Sequence, residues 1–184
     1  MQRFLLLFLL GGCTSDPEDT HSQDTSDPED AVQAGDALAL MAAAEDIARV
    51  TWPDAVLLDA AGRTGAAGTA GSTLAEDFDT WMLALLANDG ADCSSIEIGW
   101  TVAEGFAEPI YHVDPYYGVL DEPIPRTMNL GDALEIVEEA GLLQPFNAVS
   151  VNTPLWPIAD VRYAFSHPTG HVFVDIATGV VTED

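Results

Sequence analysis

The chain has 184 residues, 48% of them hydrophobic, and carries 31 Asp and Glu against five Lys and Arg, a formal charge of -26 at pH 7. All five cations are arginines (Arg3, Arg49, Arg63, Arg126, Arg162), so a Walker A phosphate grip, a kinase lysine and any Schiff base are excluded. The same charge opposes binding to nucleic acid and to anionic lipid, both of which depend on cationic side chains.

Met1 to Arg3 make a short positive start, Phe4 to Leu10 an unbroken apolar run, and Gly11-Gly12 a small pair directly before Cys13. This is the three-part layout of a secretory signal over 1–12, and the run is far shorter than the roughly 20 residues a helix needs to cross a bilayer. The Leu10-Gly11-Gly12-Cys13 ending resembles the lipobox of bacterial lipoproteins, in which the cysteine receives a diacylglyceryl group and becomes the mature N-terminus. The resemblance implies lipidation at Cys13 and, with Thr14 and Ser15 following, an outer-membrane location in the cell envelope. Several acyl chains on one residue anchor stably, because each buried CH₂ contributes about 0.8 kcal/mol. The alternative is an ordinary secreted protein in which Cys13 pairs with Cys93. Lipidation instead leaves Cys93 a lone thiol.

Residues 13–31 read as an acidic disordered tether, with TSDPED at 14–19 and again at 25–30 and no large apolar side chain. The tether lacks the glycine-containing loop and terminal glutamate of an EF-hand, so a solvated spacer is preferred to a calcium array. His21, within it, has no expected role.

The folded body begins near Val32. Asp36 is placed to cap a helix to about Arg49, with Leu40, Ala44 and Ile47 on one stripe beside Met41 and Ala48. Trp52-Pro53 ends it, because a residue before proline is pushed out of the helical region. Ala55 to Leu58 reads as a short strand, and GRTGAAGTAG (62–71) as a surface loop, since it is neither GxGxxG nor a P-loop. Thr80 to Ala87 is apolar on both faces and fits a strand or a short helix. Ile96 to Val102 alternates Ile96, Ile98, Trp100 and Val102 inward.

Asn129 or Asp132 opens a second helix whose Leu130, Ala133, Leu134 and Val137 share a face, with Gly141 as its C′ residue. Strands are expected at Ala148 to Val151, Val161 to Phe165 and His171 to Ile176, the last two joined by a Pro168-Thr169-Gly170 turn. Asp175 and Thr178 are expected to close a final turn through side-chain hydrogen bonds, with Gly179 at positive φ. The fold class is therefore α+β, a helix packed on a small antiparallel sheet, in two related units in tandem at 32–128 and 129–184.

Tyr163-Ala164-Phe165, the turn, and Val172 to Val181 (VFVDIATGVV) resemble the closing hairpin of PepSY-type domains. Those modules set a helix before an antiparallel sheet and finish on a strand carrying Val-Asp, a spacer and Thr-Gly. The resemblance covers about 130–184, with the helix Leu130 to Ala140 upstream. It implies a non-catalytic interaction module, of the kind found in protease propeptides and cell-envelope proteins, and it transfers no catalytic residue.

His167, His171 and Asp175 have the composition of a zinc set, but the preferred reading is two exposed imidazoles at a hairpin tip. His112 with Asp114 is a sparse pair. Glu76, Asp77 and Asp79, and Asp114, Asp121 and Glu122, are oxygen-rich clusters of the sort that bind calcium. No GxSxG, HExxH, CxxC or papain-like cysteine context anchors a hydrolase or redox reading. Trp100, Trp156, Tyr111, Tyr116 and Tyr117 are candidates for a contact surface, with Tyr116 and Tyr117, between Pro115 and Gly118, the best placed. The leading expectation is a lipid-anchored, non-enzymatic envelope protein that binds or inhibits a protein partner, with no cofactor or metal. The alternatives are a divalent-cation-binding surface lipoprotein and a hydrolase drawing on His112, His167 or His171.

Overall fold

The computed structural model describes residues 32–65, 70–88, 93–114, 123–153 and 160–184. The leader, Cys13, the tether with His21, Tyr116, Tyr117, Asp121, Glu122 and Trp156 lie outside the described residues, as does the Cys93 side chain.

Helix α1 spans Ala37–Arg49, and the Asp36 carboxylate accepts the Ala39 N–H at 3.0 Å, satisfying one of the donors a helix start leaves free. Leu40, Met41, Ala44 and Ala48 are buried as the periodicity required. Helix α2 spans Leu130–Glu139. Asn129 is its cap, and Asp132 is the residue that answers it: the Asn129 side chain accepts from Leu130 N–H at 2.8 Å, and Asp132 accepts the Asn129 N–H at 3.0 Å. Its end is a Schellman turn, with Gly141 at φ +75°, Gly141 N–H on the Glu138 carbonyl and Leu142 N–H on that of Val137.

The strands are β1 (Val56–Arg63), β2 (Thr80–Asn88), β3 (Cys93–Thr101), β4 (Gly105–Phe106), β5 (Ile110–His112), β6 (Ala148–Asn152), β7 (Arg162–His167), β8 (Gly170–Asp175) and β9 (Val181–Glu183). They form one antiparallel sheet in the order β4-β3-β2-β1-β6-β7-β8-β9, with β5 also on β3. The fold is thus α+β but sheet-dominated, larger than a helix on a small sheet. The sheet runs unbroken across the 128/129 boundary through the β1–β6 pairing, in which Ala60 faces Val151 and Gly62 faces Val149.

One face of the sheet holds Trp81, Leu83, Leu85, Ile96, Ile98, Trp100, Val149, Val151, Tyr163, Phe165, Val172 and Val174. These join both helices in a single hydrophobic core. Two aromatic side chains in it carry polar tips that must be satisfied. Trp81 Nε1 donates to the Phe78 carbonyl at 2.8 Å, and the Tyr163 hydroxyl to that of Met128 at 3.0 Å.

Thr80 to Ala87, open between a strand and a short helix, is strand: it lies between β1 and β3, and a strand inside a sheet whose Leu83, Ala84 and Leu85 are all buried loses its alternation. Two sequence readings change. Val102 does not point inward: β3 stops at Thr101 and Val102 is exposed. Gly62 and Arg63 belong to β1 rather than to a loop. A Cβ at Gly62 would stand 2.8 Å from the Trp81 ring, so this glycine makes room for an indole.

Arg126 is tied to α1 by one carboxylate. Glu45 of α1 accepts the Leu57 N–H at 3.0 Å and pairs with Arg49 at 2.8 Å and with Arg126. Two of the five arginines are therefore committed to a single buried acid.

Candidate functional site

The titratable candidates are placed apart. On β7 and β8, Ser166 pairs with His171 and His167 with Gly170, so the two histidines are offset and face opposite sides of the sheet. His167 Nδ1 is 3.1 Å from the Thr169 hydroxyl and its ring packs edge-on to Phe146. His171, which is exposed, lies over Phe173. Asp175 shares its face, but the Asp175 carboxylate accepts both the Thr178 N–H and the Thr178 hydroxyl at 2.6 Å. Those bonds hold the Asp175 carboxyl below its ordinary value, against the smaller opposing effect of burial. The zinc set is not assembled, and only one of its imidazoles is freely exposed. The expected closing turn is present, with Gly179 at φ +69° and its N–H on the Asp175 carbonyl at 2.9 Å.

The Ser166 hydroxyl is 3.1 Å from His171 Nδ1. Asp184, the nearby acid, accepts from the His171 backbone N–H rather than from the imidazole, so the three do not form a relay of nucleophile, base and orienting acid. His112 pairs not with Asp114 but across strands, 3.3 Å from Glu97. Asp77 accepts from the Ser72 hydroxyl and Asp79 from the Gly65 N–H at 2.7 Å, so two members of the first acidic cluster are held by separate partners. Among the described residues no three His, Cys, Asp or Glu are grouped to hold a metal ion. Nor is any helix among them long and apolar enough to cross a membrane.

What the fold does bring together is aromatic. Trp52 is fixed at the end of α1 by its N–H on the Ala48 carbonyl at 2.9 Å and by its own carbonyl, which accepts from Ala55 at 2.9 Å. Tyr111, on β5, sits opposite the buried Ile96 and so faces the helix side of the sheet. The two rings stack with centroids 5.7 Å apart and planes within 5°. Parallel stacking of this kind contributes about 1 kcal/mol beyond burial. Next to the stacked residues in the chain, Val50 is 86% exposed and Val113 74%, and Tyr111 itself is 41% exposed, whereas Ile110 lies on the opposite face with Glu97.

Of the aromatic candidates, Trp100 is a core residue tilted against Phe106, whereas Tyr111 is part of the stacked pair. Trp52 was legible only as a helix stop. The signal available for it was an aromatic residue in a polar turn, ahead of Pro53 and Asp54, where nothing local buries it. No family model, curated protein or solved structure matches the chain.

Proposed function

We propose that this protein is a non-catalytic cell-envelope module, lipid-anchored through Cys13 to the outer membrane, whose folded body binds or inhibits a protein partner through the Trp52–Tyr111 surface. The observation that carries the reading is that stacked, part-exposed aromatic pair, with the exposed Val50 and Val113 two residues from it in the chain, because exposed aromatic anchors of this kind dominate binding energy at protein interfaces. The lipobox-like leader and the acidic spacer after it support attachment at a distance from the membrane. The PepSY-like reading is supported by the second helix, its meander and the Asp175–Thr178 turn. Two related units are supported by element order: helix then meander occurs twice, and the first strand of each meander, β1 and β6, meet at the sheet centre.

The test has two arms. Labelled palmitate should enter the full chain and be lost in Cys13→Ser. A photo-crosslinking residue at position 113, in cells, should give a discrete protein adduct that disappears in Trp52→Ala/Tyr111→Ser. An unlabelled chain removes the anchor, and the absence of any adduct removes the binding role.

A further inference from the structure

Among the described residues Arg49 and Arg126 close on Glu45, whereas the half-buried Arg162 guanidinium has neither an ion pair nor a hydrogen bond, in a protein with 31 acids. It lies instead over the Phe173 ring, 4.0 Å from the centroid. A guanidinium held by its face keeps its N–H donors in the plane of the fork, directed past the ring rather than into it. On β7 Arg162 alternates with Tyr163, which is buried in the core, so Arg162 stands on the side of the sheet away from both helices. It pairs with Asp175 across β7 and β8, and Phe173 pairs with Thr182 across β8 and β9. With Asp160, Thr178 and Val180 these four line a cavity of about 290 Å³. Small-molecule sites run from roughly 300 Å³ upward, so the occupant is small. The Trp52–Tyr111 surface faces the helix side, and the two are separate.

The polar groups around the cavity divide into used and unused. The Asp175 carboxylate accepts both the Thr178 N–H and the Thr178 hydroxyl at 2.6 Å, and that hydroxyl also accepts from the Val180 N–H at 3.3 Å. The Arg162 donors are uncommitted, and the exposed Asp160 carboxylate has no hydrogen bond or ion pair among the described residues. Phe173 and Val180 supply an apolar wall. A simple anion is opposed here by Asp160 and Asp175, and at longer range by the net charge of -26. A simple cation meets Arg162. A molecule with one charge of each sign and a short apolar part answers every group. We propose that this cavity binds a free α-amino acid with an apolar side chain, its carboxylate taken by Arg162, its ammonium by Asp160 and its side chain by Phe173 and Val180. The planar fork matches a carboxylate through two parallel N–H···O bonds. It matches a phosphate equally, so a phosphoethanolamine headgroup is the competing source of the same paired charges, but its polar body leaves the apolar wall unanswered.

The experiment titrates the full chain, in non-ionic detergent micelles, with L-leucine, L-valine and L-phenylalanine, read by calorimetry and by NMR of the Arg162 Nε–H and the Val180 methyl groups. Controls are isocaproate, which is leucine without its ammonium, isoamylamine, which is leucine without its carboxylate, and glycerophosphoethanolamine. Saturable binding of at least one amino acid is expected, with the largest shifts at Arg162, Phe173 and Val180. Each control should bind at least about tenfold more weakly, because it leaves a charged group or the apolar wall without a partner. Arg162→Lys, which keeps the charge but not the fork, and Asp160→Asn, which lies outside β7, should each weaken the amino acid at least about fivefold. If Arg162→Lys lowers Tm, Asp160→Asn decides. No binding by any of the three amino acids, isocaproate or glycerophosphoethanolamine binding as tightly as they do, shifts centred elsewhere, or unchanged affinity in Asp160→Asn would overturn the proposal.

Discussion

Asn129 donates through Nδ2 to Asp36 Oδ1 at 3.3 Å, so the N-cap of one helix is hydrogen-bonded to the N-cap of the other. Two helix starts, each carrying partial positive charge, are thereby brought side by side with two carboxylates, Asp36 and Asp132, at the junction. Asp36 serves both α1 and the contact with Asn129. Asp36→Ala should therefore lower stability by about 2 kcal/mol, and Asn129→Ala by about 1 kcal/mol. Chemical denaturation of the double variant should show a coupling of at least ~0.5 kcal/mol, since the two sites share a partner. Strict additivity would mean the contact carries no stability.

Tyr163 lies just behind that junction. Burial first, then the charges of Asp132 and Asp36, push its phenol well above the ordinary value of 10.0. With the folded value raised, the native state keeps the proton that the unfolded chain releases above pH 10. Stability is then complete below that point and falls as pH rises through it, by about 1.4 kcal/mol per pH unit. Tyr163→Phe should be destabilised at pH 7, because the Met128 carbonyl loses its donor, yet lose less stability than wild type between pH 10 and 11. Parallel alkaline profiles for the two proteins would contradict this.

Gly62 reverses an ordinary expectation. In a strand interior, glycine costs about 0.5–1 kcal/mol relative to alanine. Here the added Cβ would press on Trp81, whose ring is buried and whose Nε1 is held by the Phe78 carbonyl, so it has little freedom to withdraw. Gly62→Ala should therefore destabilise by roughly 1–3 kcal/mol, seen as a lower urea midpoint. The deficit should shrink when Trp81 is also replaced by Phe.

The helices were readable because periodicity and caps act locally: Asp36, Asn129 and Gly141 each do what their residue type does at a helix end. β3 was readable through Ile96, Ile98 and Trp100 for the same reason. β4, β5 and β9 were not, since two or three residues cannot display a period of two, and Pro109 interrupts the edge between β4 and β5. Gly62 read as loop because what it accommodates, Trp81, is an interaction across strands. The aromatic surface was half visible. Tyr111 stood among the aromatic candidates, but its partner Trp52 is distant in the chain and meets it only once α1 packs on the sheet and β5 pairs with β3. His167 and His171 show the converse, since nearness in sequence around a turn says nothing about facing the same side.

Among the described residues Glu45 is the one acid on which two arginines close. Removing it leaves Arg49 and Arg126 without that partner and the Leu57 N–H without an acceptor. Both guanidinium groups are partly solvated, so Glu45→Ala should cost about 2–3 kcal/mol, toward the lower end of what breaking a buried ion pair costs. Arg126→Ala should cost less, because Arg49 and the Leu57 N–H still satisfy the carboxylate. Equal losses for the two variants, measured by thermal unfolding, would show that the tie through Arg126 dominates.

The Asp175 turn provides the acid-side counterpart. Its carboxyl is held below the ordinary value chiefly by the Thr178 hydroxyl, with further help from the Thr178 and Ala177 backbones. A lowered folded value means that the stabilisation is present at neutral pH and disappears as pH falls through that lowered value. The Asp175 carbonyl also accepts from Gly179, and the Asp175 N–H donates to Val180, so protonation should loosen the entry into β9 before the rest of the sheet responds. Thr178→Val removes the hydroxyl but keeps the N–H bond. In that variant the Asp175 carboxyl, followed by NMR, should titrate at higher pH than in wild type, and the Asp175 and Gly179 amides, which donate to the Val180 and Asp175 carbonyls, should lose protection from exchange at correspondingly higher pH. If the titration stayed where it was, the hydroxyl would not be what depresses the carboxyl, and the turn would owe its closure to the backbone alone.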